Sequence, residues 1–240
     1  MSFLLAALAA FLIGASKAGF KGLSLFNVTL FALAFGAKPS TGIIMPLLVL
    51  GDIAAVLYYR RHAQWKPIIR ILPWMVLGIL MGVFIGKDLP EHTFKVAMVT
   101  IIFVSLGLLI FWDIRGSKRV PKHWTFAATS GVLSGLTTMI GNMAGPFTNL
   151  YFLMLQLPKN IFVGTAAWLF LITNCFKIPF HIWVWNTITW DTIKTSATLF
   201  PLLLLGFALG AQLLKYINDA LYRKFIIVVT ALGAIAILLK

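Results

Sequence analysis

The chain has 240 residues, 60% of them hydrophobic and 11% charged, with a mean hydropathy of +0.96. That excludes a soluble domain. Recurring apolar runs of roughly 20 residues, enough to cross about 30 Å of hydrocarbon, define a polytopic α-helical membrane protein and not a β-barrel, whose alternating pattern is absent. The formal net charge of +14 does not call for nucleic acid, because most Lys and Arg fall in short loops, and the lone Cys175 excludes a disulfide framework or a thiolate metal cluster.

Ten apolar segments follow one another, near 2–14, 21–36, 41–59, 67–86, 93–112, 124–141, 146–157, 160–181, 193–214 and 221–239. The first, "MSFLLAALAAFLIG", lacks the basic start of a signal peptide and is taken as a helix. The first two are short, and "GASKAGFKGLSLFN" (14–27) lies where they meet. One reading makes this stretch the tip of a broken hairpin. Gly19 and Gly22 would let the backbone turn, and the helix that follows would point free N–H groups at an anion. Lys17 and Lys21 would add charge, and Ser16, Ser24 and Asn27 hydrogen bonds. The competing reading is an interfacial loop with both lysines snorkelling to water.

The third segment, "MPLLVLGDIAAVLYYRR", contains Asp52, the one acidic residue inside an apolar run. A carboxylate in hydrocarbon is a functional candidate, here for proton coupling; the alternative is a structural ion pair with a buried lysine. The fourth holds "PWMVLGILMG" (Pro73, Gly78, Gly82), and the ninth holds "PLLLLGFALG" (Pro201, Gly206, Gly210). Both are P-x4-G-x3-G. Between the sixth and seventh segments, "GNMAGPFTN" gives a second glycine break with Gly141, Asn142, Gly145, Thr148 and Asn149, and Pro146 suits a first helical position. Its alternative reading is a small-residue packing motif. In the eighth, Asn174 and Lys177 share a helix face, Pro179 is expected to distort the helix, and Lys177 either binds substrate or snorkels. His181 and the tryptophans at 65, 112, 124, 183, 185 and 190 lie near segment ends and are expected at the interface.

These matches predict an internal repeat. The linker "DIRGSKRVPKHW" divides the chain into a first repeat, 1–115, a cytoplasmic linker, 116–123, and a second repeat, 124–240. Loops 59–70, 113–123, 158–159 and 215–224 carry 12 of the 20 Lys and Arg and are assigned to the cytoplasm; both termini then fall on the non-cytoplasmic side. The predicted fold is all-α and polytopic, with two inverted repeats, each a glycine-broken hairpin plus three transmembrane helices. Whether the short segments 2–14, 21–36 and 146–157 are re-entrant or fully crossing stays open. Interrupted helices in inverted repeats mark secondary transporters that bind substrate near the midplane. Three cationic side chains against one carboxylate favour an anion. No catalytic set, metal-ligand cluster or phosphate loop is present, so neither enzyme activity nor a cofactor or metal is expected. The expected partners are a small anion and the lipid bilayer; nothing indicates a homo-oligomer.

Across almost the whole chain the sequence resembles the TauE/SafE family of sulfite and organosulfonate exporter-like permeases. The resemblance is carried by "SKAGFKG", "GIIMPLLVLGDIAAVLYYRRHAQW" and "AGPFTNLYFLMLQLPKNIFVGTAAWLFLITNCFKIPF". It departs from the family's denser glycine run at Lys21 and Leu23. The resemblance implies a two-repeat permease that moves sulfite, sulfoacetate or a related sulfur oxyanion outward across a bacterial inner membrane. The candidate substrate-binding set is Ser16, Lys17, Gly19, Lys21, Gly22, Asn27, Gly141, Asn142, Gly145, Thr148, Asn174 and Lys177, with Asp52 for proton coupling. Rival readings are a passive anion channel on the same scaffold and a non-transporting membrane scaffold subunit.

Overall fold

The structure is a computed structural model that describes residues 2–20, 23–90, 92–94, 96–97, 100, 103–104, 107, 111, 124–218, 221, 224 and 228. The described chain is helical: α1 (Ser2–Ala18), α2 (Ser24–Phe35), α3 (Ala37–Tyr59), α4 (Trp65–Lys87), α5 (Trp124–Gly141), α6 (Gly145–Met154), α7 (Lys159–Trp183) and α8 (Trp190–Leu214). α3 (extended by a 3-10 turn to His62), α4, α7 and α8 are long and apolar enough to cross a membrane. The predicted fifth and tenth segments and the linker lie largely outside the described residues. α2 and α6, with 12 and 10 residues, fall well short of a crossing. At 1.5 Å per residue they rise only about 18 and 15 Å.

The first helix runs further than its sequence suggests. Gly14 is not a break: a Cβ there would overlap the Leu203 carbonyl oxygen and the Phe207 nitrogen of α8, so this glycine exists for close packing. The helix continues through "ASKA", all tolerant of helix, and stops at Gly19. There the Gly19 N–H donates to the Ser16 carbonyl and the Phe20 N–H to the Ala15 carbonyl, the paired bonds of a Schellman stop, with Gly19 at φ 141°. In the second half Gly141 is the last helical residue, and the stop falls on Asn142, at φ 56°, whose N–H donates to the Thr138 carbonyl. Asparagine accepts this left-handed conformation better than most side chains. Pro146 sits in the first turn of α6, as expected. α7 continues through Pro179 to Trp183.

Close helix pairs follow one pattern twice. Gly14 of α1 meets Leu203 and Phe207, the third and seventh residues of the α8 motif. Gly135 of α5 meets Met75 and Ile79, the third and seventh residues of the α4 motif. Three residues before each glycine, Phe11 and Val132 face the motif glycines Gly206 and Gly78. α1 and α8 run parallel, as do α4 and α5. α3 runs with α8, bringing Ile43 to Ser196 and Tyr58 to Phe207. α7 runs with α4, bringing Trp168 to Trp65 and Trp185 to Val83. α3 and α7 are antiparallel: Gly164 lies against Tyr59, and Gly42 against Thr187.

The two ends of this bundle differ. At one, Lys159 donates to the carbonyls of Leu214 and Ile217, and the Gln64 N–H to Thr165. At the other, Lys38 donates to the Lys87 carbonyl and lies over Trp185. Two apolar clusters fill the interior. One contains Ile13, Leu48 and Ile79, the other Ala18, Ala55 and Phe162. A layer of buried polar side chains separates them.

Candidate functional site

That layer forms where the two short helices begin. The Lys17 ammonium, in the last turn of α1, lies 2.6 Å from Asp52 Oδ1. Asn174 Nδ2 of α7 donates to Asp52 Oδ2 at 2.7 Å. Asp52 is fully buried and Lys17 only 6% exposed, so neither is an interfacial group. Lys17 also lies 5.2 Å from the centre of the Phe170 ring, a favourable cation–π arrangement. The snorkelling alternative for Lys17 is therefore wrong, and the alternative reading of Asp52 as an ion-pair partner is what the fold contains. Burying both charges is tolerable because each faces the other and Asn174 occupies the second carboxylate oxygen.

Lys177 is also fully buried, contrary to the snorkelling reading. Its ammonium donates to the Thr138 carbonyl at 2.9 Å, the Thr138 hydroxyl at 3.0 Å and Asn142 Oδ1 at 2.7 Å. Asn142 Nδ2 in turn donates to the Thr41 carbonyl at 3.3 Å. Three N–H groups thus meet three protein acceptors, which fastens the end of α5 and its left-handed Asn142 to α7 and α3.

Between these two clusters lies a cavity of about 40 Å3, lined by Ile13, Ser16 and Lys17 of α1, Ser24 and Asn27 of α2, Leu48 of α3, Thr138 of α5, Asn142 and Ala144 of the second break, Gly145 and Asn149 of α6, and Phe170 and Asn174 of α7. No side chain caps the N-terminus of α2 or of α6. Gly145 lets Ser24 Oγ approach closely: a Cβ there would come within 2.8 Å of it, and the hydroxyl would have to turn away.

Of the expected binding residues, Ser16, Lys17, Asn27, Asn142, Gly145 and Asn174 line this cavity. Asp52 and Lys177 contact its lining from behind. Gly19 does not line it and packs on Leu214. Thr148 turns away, its hydroxyl 2.9 Å from that of Ser134, and Gly141 is helical and outside the lining. Lys21 and Gly22 lie outside the described residues. The lining residues not foreseen include Thr138 and Phe170. Thr138 could have been found, because it stands three residues after Gly135 as Lys17 stands three after Gly14.

Two interfacial expectations fail. His181 is fully buried, its Nδ1 2.8 Å from the Thr187 hydroxyl. Trp185 is 7% exposed because its ring packs on Gly86 and its indole N–H donates to the Val83 carbonyl. Trp65, Trp124, Trp183 and Trp190 are exposed, as anchors are.

Fold and site define an integral membrane protein with interrupted helices converging on a buried polar cavity, the class of membrane permeases. The family model described as "Sulfite exporter TauE/SafE" matches residues 5–237, and the chain belongs to that family, a family of exporter-type anion transporters. No curated protein and no solved structure matches the chain.

Proposed function

We propose that this chain is a secondary-active permease that exports sulfite or a related organosulfonate by alternating access between two inverted repeats, residues 1–115 and 124–240, joined by a linker at 116–123. It would work in a bacterial inner membrane with both termini on the non-cytoplasmic side. The observation that carries this reading is the cavity lined by Lys17, four asparagines and the starts of two short helices without side-chain caps. An ammonium, amide donors and helix N-termini all favour negative charge.

The inverted arrangement is supported by the matched glycine contacts and by helix direction. α1, α3 and α8 run one way; α5, α7 and α4, their respective counterparts, run the other. Rocking of one repeat against the other would then expose the cavity to each side in turn. The separation of Lys159 and Lys215 from Lys38 and Lys87 at opposite ends agrees with the charge-based sidedness.

In this scheme the substrate competes with Asp52 for Lys17. Protonation of Asp52 releases the ammonium to the anion, which is how a carboxylate at this position would couple flux to protons. Asn174 holds the other carboxylate oxygen throughout. Lys177 acts as a positioning residue for the Asn142 turn, since its donors already meet protein acceptors.

The test is a thermal-shift titration of purified protein with sulfite, sulfoacetate, taurine, sulfate, acetate and chloride. A ligand that binds only the folded state raises the melting temperature with concentration. The expected result is selective stabilisation by sulfite, lost in Lys17→Ala. Equal stabilisation by acetate and chloride would contradict specificity for a sulfur oxyanion. Concentrative counterflow in proteoliposomes then distinguishes a permease from a passive channel.

A further inference from the structure

Among the described residues, two buried side-chain polar atoms have no hydrogen-bond partner, Asn149 Oδ1 and His181 Nε2. His181 does not line the central cavity; Asn149 does, from the second turn-forming residues of α6, and it is 1% exposed. An acceptor stranded in a dry site costs free energy until a donor meets it. The other polar groups named at this cavity bring donors to it: the Lys17 ammonium and the side-chain amides of Asn142 and Asn174. A bare oxyanion, which only accepts, would satisfy all of these and leave Asn149 Oδ1 unmet.

Among the described residues, the titratable groups around the cavity are Lys17 from α1, Asp52 from α3 and Lys177 from α7; the lining residues of α2, α5 and α6 carry none.

We propose that the cavity binds its oxyanion in a protonated, singly charged form, with the ligand's own O–H donating to Asn149 Oδ1 and its remaining oxygens accepting from Lys17 and the side-chain amides beside it. For sulfite this is hydrogensulfite in its S–OH form. Asn149 is thus a specificity-determining residue that selects for a donor. The proton rides on the substrate and is separate from any proton taken up by Asp52. This inference rests on the assignment of the cavity as the anion site.

The experiment is a thermal-shift titration with total sulfite at a series of pH values spanning its second ionisation, which lies near neutrality. Nitrate serves as a trigonal monoanion without an O–H, and hydrogencarbonate as one with it. Wild-type protein should show an apparent Kd for total sulfite that rises about tenfold per pH unit above that ionisation, following the hydrogensulfite fraction. Hydrogencarbonate should stabilise more than nitrate at equal concentration. Asn149→Leu, if its unliganded melting temperature is near wild type, should weaken sulfite at least tenfold and erase the difference between the two controls. If Asn149→Leu does not fold, the wild-type pH series and the control pair decide the matter. A sulfite affinity that is flat or improves through the ionisation, with nitrate equal to hydrogencarbonate, overturns the donor role and leaves the anion site standing. No stabilisation by sulfite at any pH overturns the anion site itself.

Discussion

Asp52 and Asn174 are 122 residues apart in sequence, yet their side chains meet at 2.7 Å in the middle of the fold, where antiparallel α3 and α7 cross. Lys17 approaches the same carboxylate from its other oxygen at 2.6 Å. Three helices from two halves of the chain are thereby joined at one buried group, which makes Asp52 the natural point at which charge and helix position are linked.

Removing one member of this cluster leaves the others uncompensated. Asp52→Asn strands the Lys17 ammonium and should lower unfolding stability by about 3–5 kcal/mol, whereas the double variant Lys17→Met/Asp52→Leu should recover most of that loss. Melting curves of Lys17→Met, Asp52→Leu and the double variant give the coupling directly. Additive losses would show that the pair is not energetically joined. In flux measurements Asp52→Asn should also lose the response to an imposed pH gradient; an unaltered response rejects Asp52 as the coupling group.

Lys177 is predicted to behave differently from Lys17. Lys177→Met unties Thr138 and Asn142 and leaves two buried acceptors unmet, at a cost of about 2–4 kcal/mol. Its effect on anion affinity should be indirect and should be mimicked by Asn142→Ala, which releases the same turn. The check is a pair of ligand titrations at a temperature where both variants remain folded. A full loss of binding in Lys177→Met with Asn142→Ala near wild type would make Lys177 a direct ligand.

The matched packing of α1 on α8 and α4 on α5 predicts matched sensitivity. Gly14→Ala and Gly135→Ala each drive a methyl into a backbone carbonyl, of Leu203 and Met75 respectively. Each should cost about 3 kcal/mol or more, because backbone cannot yield as a side chain can. Differential scanning fluorimetry of the two variants tests this. A large loss in one and none in the other would contradict the equivalence of the two helix pairs.

Much of this architecture is written in the sequence, and the exceptions share a cause. Segment positions and the short second helix of each hairpin follow from hydropathy and length alone. The stops were harder to place, because a glycine serves two purposes. Gly14 permits helix contact while Gly19 ends the helix, and only the neighbouring helix distinguishes them. The same ambiguity moved the second stop from Gly141 to Asn142. Lys17, Asp52, Asn142, Asn174 and Lys177 were recognisable as costly groups in hydrocarbon, but which lysine would meet Asp52 depends on packing. Phe170 in the cavity wall and the burial of His181 and Trp185 carry no local signal, since each is set by a partner distant in the chain.

The most direct test of the account fills the cavity without touching its charges. Asn27 lines the cavity from α2 and is outside the Lys17–Asp52–Asn174 and Lys177–Asn142 bonds. Counterflow of labelled sulfite would be measured in proteoliposomes with wild-type protein and with Asn27→Leu. The account predicts accumulation above the external concentration by wild type and its loss in Asn27→Leu, with both proteins folded. Equal accumulation by the two would remove the cavity from the transport path, and no accumulation by wild type would contradict sulfite transport altogether.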